Sequence, residues 1–164
     1  MKPMKLERTV AAPASGVWEI LTDLDRATAS IPAIDRIERL DGGTGFDVGT
    51  RWRETRTIFG REATEELEVT AVDPGRSYVV EANSRGAHYR SELGVEPLET
   101  VRSRLWMTFE AEAEGWIGRI IAATIGRLFM ATTRKLLEED LAAIARAAEA
   151  QPAPGRDPDR AAAS

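Results

Sequence analysis

From Ile34 to Ala113 apolar and polar residues alternate with period two, and turn residues interrupt the alternation at regular intervals. The interruptions are Gly42-Gly43-Thr44-Gly45, Phe59-Gly60, Asp73-Pro74-Gly75, Arg85-Gly86 and Pro97-Leu98-Glu99. They divide the segment into six predicted strands at 34–40, 49–58, 61–72, 76–84, 87–96 and 100–112. A seventh strand, Lys5 to Val10, precedes them and ends at Ala12-Pro13. Pro13 suits the first turn of a helix whose apolar face is Val17, Trp18, Ile20 and Leu21. A second short helix, Leu24 to Ser30, must stop at Ile31-Pro32, because the residue before proline is driven out of the α region. From Gly115 to Ala148 the period lengthens to that of a helix. One stripe runs through Ile117, Ile121, Ile125 and Leu128 and another through Leu137, Leu141 and Ile144. The second stripe is rotated from the first, which predicts a bend or break near Ala131 to Arg134.

The hairpins can be registered against one another. A two-residue loop at Phe59-Gly60 sets Trp52 opposite Leu67 and Thr50 opposite Val69 on one face, and Arg53 opposite Glu66 and Arg51 opposite Glu68 on the other. Closing the Asp73–Arg76 turn sets Tyr78 against Ala71, Val80 against Val69 and Ala82 against Leu67. A loop at Arg85-Gly86 then pairs Ala82 with Tyr89, Val80 with Ser91 and, on the outer face, Glu81 with Arg90. A three-residue loop over Pro97–Glu99 brings Ser91 to Leu105 and Tyr89 to Met107. Every hairpin then shows its apolar set on the same face and opposed charges on the other.

Composition narrows the chemistry. The 164 residues predict one domain, residues 1–149, large enough to bury roughly 70% of its unfolded surface. Residues 150–164, with three prolines and no large apolar side chain, read as a disordered tail. With 22 basic and 27 acidic residues the formal charge is −5, so a nucleic-acid partner is not expected. Arginine outnumbers lysine nineteen to three, in keeping with the codon usage of a GC-rich bacterial genome. There is no cysteine and a single histidine, His88, which removes thiolate chemistry and leaves no basis for a metal site or cofactor. His88 falls on the outer face beside Asn83 and reads as a surface residue. No signal peptide is expected from the first ten residues, and the most apolar stretch, Gly115 to Ala131, is short and carries Arg119 and Arg127. A cytoplasmic protein without stable membrane insertion, monomeric or homodimeric, is the expectation.

The element order is one strand, two short helices, six antiparallel strands and a long helix. That order resembles the helix-grip fold of the START-like (SRPBCC) superfamily, which includes polyketide cyclase/dehydrases. The wording agrees over about residues 3 to 149. Ala12-Pro13 followed by Val17-Trp18-Glu19-Ile20-Leu21-Thr22-Asp23 is similar to the family's opening, and Val48-Gly49-Thr50-Arg51-Trp52 resembles a strand start. Asp73-Pro74-Gly75-Arg76, Pro97 with Thr100, and the Leu137 to Glu149 helix end resemble further family signatures. Ile31-Pro32 departs from the Trp-Pro of many relatives. These are signatures of fold, not of catalysis. The resemblance implies a curved seven-stranded antiparallel sheet wrapped around the C-terminal helix, an α+β fold, with a pocket between them for an apolar or amphipathic small molecule.

The register supplies candidates for the pocket lining. They are Trp52, Glu54, Arg56, Ile58, Glu65, Leu67, Val69, Tyr78, Val80, Tyr89, Ser91, Leu105, Met107 and Phe109, with Leu128 and Thr132 from the helix. Glu54 stands opposite Glu65, with Cβ atoms about 5 Å apart, and Arg56 follows on the same face. Two inward carboxylates beside an arginine suit a polar ligand group, general acid–base work after a pKa rise, or a self-neutralising ion cluster. A one-residue bulge would instead turn all three to solvent. Tyr78 and Tyr89 can offer hydroxyls to a ligand or serve as core rings. Trp106, on the outer face, and Trp116 suit a partner surface or cover by arginine stems. Gly118, Ala122 and Gly126 form a small-residue ridge that permits close packing, and the Gly42–Gly49 glycines lack a phosphate-binding pattern. Three functions follow: binding of a lipid or polyketide-like molecule, a polyketide cyclase/dehydratase using Glu54, Arg56, Glu65 and Tyr89, and a protein-interaction accessory module.

Overall fold

The structure, a computed structural model, describes residues 3–58, 60–84, 86–113 and 115–152, without the side chains of 113–129. Seven antiparallel strands form one sheet: β1 (Met4–Val10), β2 (Arg36–Arg39), β3 (Arg51–Ile58), β4 (Arg61–Asp73), β5 (Ser77–Ser84), β6 (Ala87–Glu99) and β7 (Arg102–Ala113). The spatial order is β1-β7-β6-β5-β4-β3-β2, so every neighbour but β1–β7 is a sequential hairpin. Between β1 and β2 lie α1 (Ala14–Thr22), a 3-10 turn at Leu24–Arg26 and α2 (Ala27–Ser30). Pro13 caps α1, and Ile31 turns extended at φ −125° ahead of Pro32, ending α2. The long helix α3 spans Gly115–Glu149. It continues through 131–134 without the break the rotating stripe predicts. That stretch, Ala131-Thr132-Thr133-Arg134, contains neither proline nor glycine, so nothing interrupts the backbone ladder.

The β3–β4 and β5–β6 registers are those expected, with Trp52 opposite Leu67, Glu54 opposite Glu65 and Ala82 opposite Tyr89. Two others differ. At β4–β5 the turn has three residues, with Gly75 at φ +77°, so Tyr78 pairs with Val72 rather than Ala71. A bulge between Val69 and Ala71 absorbs the extra residue and restores Val80 to Val69. At β6–β7 the strands run past Pro97, which sits at an irregularity between Pro97 and Glu99, where its missing N–H is tolerated. Ser91 therefore meets Phe109 and Tyr89 meets Ala111, in place of Leu105 and Met107. The slip is four residues; being even, it leaves each side chain on its expected face.

The tightest packing gathers where β1, β6 and β7 meet α1 and the end of α3. Val10, Val17 and Leu105 are fully buried there, in one core cluster with Leu141, Ile144, Ala145 and Ala148. Ser103 and Glu149 fasten the corner, donating from Oγ to the Ala12 carbonyl at 2.9 Å and accepting from the Ala11 N–H at 2.9 Å. On the outer face the Trp106 ring lies across Gly94, where an added Cβ would come within 2.3 Å of it. Trp106 thus covers a neighbouring strand and is only half exposed. No helix among the described residues is long and apolar enough to cross a membrane.

Candidate functional site

Away from that corner the sheet and helix diverge and enclose a cavity of about 810 Å³. Its sheet wall comes from the concave faces of β3–β7. Its front is Ile20, Leu21, Leu24, Ala27, Ile31 and Ile34, from α1 through the loop ahead of β2. Its roof is the stretch of α3 from Thr132 to Ile144. Of the sixteen candidates, Trp52, Glu54, Arg56, Ile58, Glu65, Leu67, Tyr78, Val80, Tyr89, Ser91, Met107, Phe109 and Thr132 line it. Val69 and Leu105 do not. Both are fully buried, Leu105 in the packed corner and Val69 on β4 between Thr50 and Val80. Leu128 falls outside the described side chains, as do Trp116 and the Gly118–Ala122–Gly126 ridge, while the expected tail lies outside the described residues from 153 onward.

A charged cluster spans the cavity from sheet to helix. Arg56 donates from Nε to Glu54 Oε1 and from Nη1 to both Asp140 oxygens, at 3.0 and 2.8 Å. The Trp52 indole N–H points at the other Glu54 oxygen at 3.4 Å. Burial works against the Arg56 charge, but Glu54 and Asp140 outweigh it and hold its pKa above the ordinary value. Burial pushes the Asp140 carboxyl up, and the Arg56 guanidinium pulls only part of that back. Of the readings open for the inward charges, the structure joins Glu54 and Arg56 as an ion cluster and leaves Glu65, which lines the cavity across from Glu54, outside it.

Asp140 is the residue sequence reasoning missed. Its signal is an acid three residues after Leu137 and four before Ile144, on the apolar stripe of α3. The apolar front from Ile20 to Ile34 was missed as a wall, since short helices were read only as elements.

The aromatic groups are held differently. Tyr78 is 8% exposed, and its ring meets Trp18 edge-on at 6.3 Å and Phe46 at 4.8 Å. Among the described residues no fully buried polar side-chain atom lacks a partner, yet the Tyr78 hydroxyl makes no hydrogen bond with any of them. It therefore opens to the cavity that Tyr78 lines. Burial, reinforced by Glu54, raises its pKa well above the usual phenol value, so it stays a donor. Tyr89 stacks on Phe109 at 6.0 Å. His88, outside the cavity, shares Nδ1 with Asn83 Oδ1 at 2.8 Å and lies 3.2 Å from Glu81. No three acidic or histidine side chains among the described residues converge as a metal site.

The sequence profile of the family described as "Polyketide cyclase / dehydrase and lipid transport" matches residues 1–149. The chain belongs to that family. No protein of curated function matches it. Among solved structures, a protein from Thermus thermophilus superposes with a TM-score of 0.72 at 16% identity, covering 99% of each chain. Norcoclaurine synthase from Thalictrum flavum gives 0.70 at 19% identity, over 92% of this chain and 95% of that one. The Zhui aromatase/cyclase from Streptomyces sp. R1128 gives 0.65 at 22% identity, over 90% and 93%. At these identities the likeness is one of fold: this polyketide cyclase/dehydrase-family chain shares the helix-grip architecture. Family membership supports ligand binding or cyclase chemistry, and function then rests on the cavity's own side chains.

Proposed function

We propose that this protein binds an apolar or amphipathic small molecule, of lipid or polyketide kind, between the sheet and the C-terminal helix. The carrying observation is the cavity itself, about 810 Å³ with a mostly aliphatic and aromatic wall and one polar pole at Glu54, Arg56, Glu65 and Asp140. That volume falls within the range of small-molecule sites, and the mixture of wide apolar wall and few polar groups is what such sites use to bind and to orient. Arg56 is already satisfied by two carboxylates, so the cluster shapes and braces the cavity.

A second reading, cyclase or dehydratase chemistry on an enolisable polyketide, draws on the family description and on the fold shared with the Zhui aromatase/cyclase. The Tyr78 hydroxyl would hold the substrate carbonyl by a hydrogen bond and Glu65 would be the proton acceptor, since both line the cavity. Native mass spectrometry of the purified protein before and after organic extraction tests the first reading. A stoichiometric extracted compound supports it; a protein that carries nothing and takes up no hydrophobic probe overturns it. Incubation of the same protein with a polyketide-like substrate separates the two, because a carrier returns it unchanged.

A further inference from the structure

The cavity also has a sign. Among the described residues, Glu54, Glu65 and Asp140 face it as carboxylates and Arg56 and Arg61 as guanidinium groups. At one pole Arg56 is shared between Glu54 and Asp140, one cation against two anions. Glu65 lies directly across from Glu54 in the β3–β4 register and makes no ion pair with any described residue. The Tyr78 hydroxyl, on a side chain 8% exposed, feels the Glu54 charge, has no partner among the described residues and opens into the same cavity. A phenol oxygen can accept a hydrogen bond as well as give one. Among the described residues no carboxylates converge as a metal site.

We propose that the preferred ligand is an amphipathic cation: an apolar body with a protonated amine seated between Glu65, Glu54 and the Tyr78 hydroxyl. This rests on the cavity being a ligand site, and it adds the chemistry of the head group. An ammonium there replaces lost hydration with charge-assisted hydrogen bonds, above all to Glu65, which forms no ion pair with a described residue. A carboxylate head group in the same place would face the like charges of Glu65 and Glu54, where the neighbouring Arg56 is already shared.

The test uses the full chain at neutral pH with dodecylamine, dodecanol and dodecanoate, each competing with Nile red below its aggregation concentration. The three probes share one tail and differ in the head. The expected order is amine, alcohol, carboxylate, with the amine about tenfold or more tighter than the alcohol. Glu65→Gln, at a half-exposed position where folding is not at stake, should narrow the amine-to-alcohol ratio severalfold, and Tyr78→Phe should narrow it less. Equal binding of amine and alcohol, tighter binding of dodecanoate, or an unchanged ratio in Glu65→Gln overturns the cation assignment while the cavity reading stands. Failure of Nile red and all three probes to bind overturns the cavity reading, and this proposal with it.

Discussion

Arg56→Met isolates the clasp between sheet and helix. In the native protein Arg56 bonds Asp140 through both carboxylate oxygens and Glu54 through Nε, with 23%, 11% and 13% of the three side chains exposed. Methionine keeps most of the stem but strands two carboxylates in a partly dry cavity. Removing one member of a buried pair costs roughly 3–5 kcal/mol, and the residual exposure here places the expectation near the lower bound, about 3 kcal/mol. For a chain of this size that corresponds to a fall in Tm of roughly 6–12 °C. Urea unfolding followed by tryptophan emission measures it, and Asp140→Leu with the double variant completes a cycle. Asp140 lies on the stripe of Leu137, Leu141 and Ile144, so leucine packs where the carboxylate was. The double variant should be less damaged than the sum of the singles by about 2 kcal/mol. Additive effects within about 0.5 kcal/mol, or a loss below that in Arg56→Met, would refute a desolvated clasp.

Other outcomes follow from the packing and titration. Gly94→Ala forces a Cβ to 2.3 Å from the Trp106 ring and 2.8 Å from the Arg76 carbonyl; overpacking of this kind costs about 1–3 kcal/mol or more. Thermal unfolding should show that loss, partly recovered by Trp106→Ala in the same chain. Leu105→Ala, at a fully buried position off the cavity, should cost about 2–5 kcal/mol in urea unfolding without changing probe uptake. The Asp140 carboxyl has a folded pKa raised above the ordinary 3.8, chiefly by burial. The native state therefore holds more protons than the unfolded chain above that value, and stability from this group is lost as pH rises through the folded pKa. Asp140→Asn should remove that fall, seen as a flatter stability profile in urea titrations run upward from about pH 4.

The sheet was legible because its decisive turns are short. Phe59-Gly60 and Arg85-Gly86 leave one way to align their strands, and opposed charges such as Arg53 and Glu66 check the result. Where the alignment failed, at Tyr78 and Tyr89, a bulge or a strand running past its proline lay outside any alternation rule. The inward set survived because face depends on parity alone. The same logic could not separate Val69 and Leu105 from Leu67 and Met107, which share their face: what covers each position is a property of the whole curved sheet, which no single hairpin encodes. Asp140 hid for another reason. It stands in Glu138-Glu139-Asp140, where an acid ordinarily faces water, and only the position of Arg56 eighty-four residues earlier gives it a partner.

The pairing of Met4 with Phe109, and of Val10 with Ser103, also orders events in time. Strands β2 to β7 can zip by local hairpins, each closing a short loop, whereas β1 must wait for β7 across about a hundred intervening residues. During synthesis β1, made before every other strand of this sheet, is thus among the last to find its place. Until Arg102–Ala113 is made, the β7 edge that β1 will occupy does not exist.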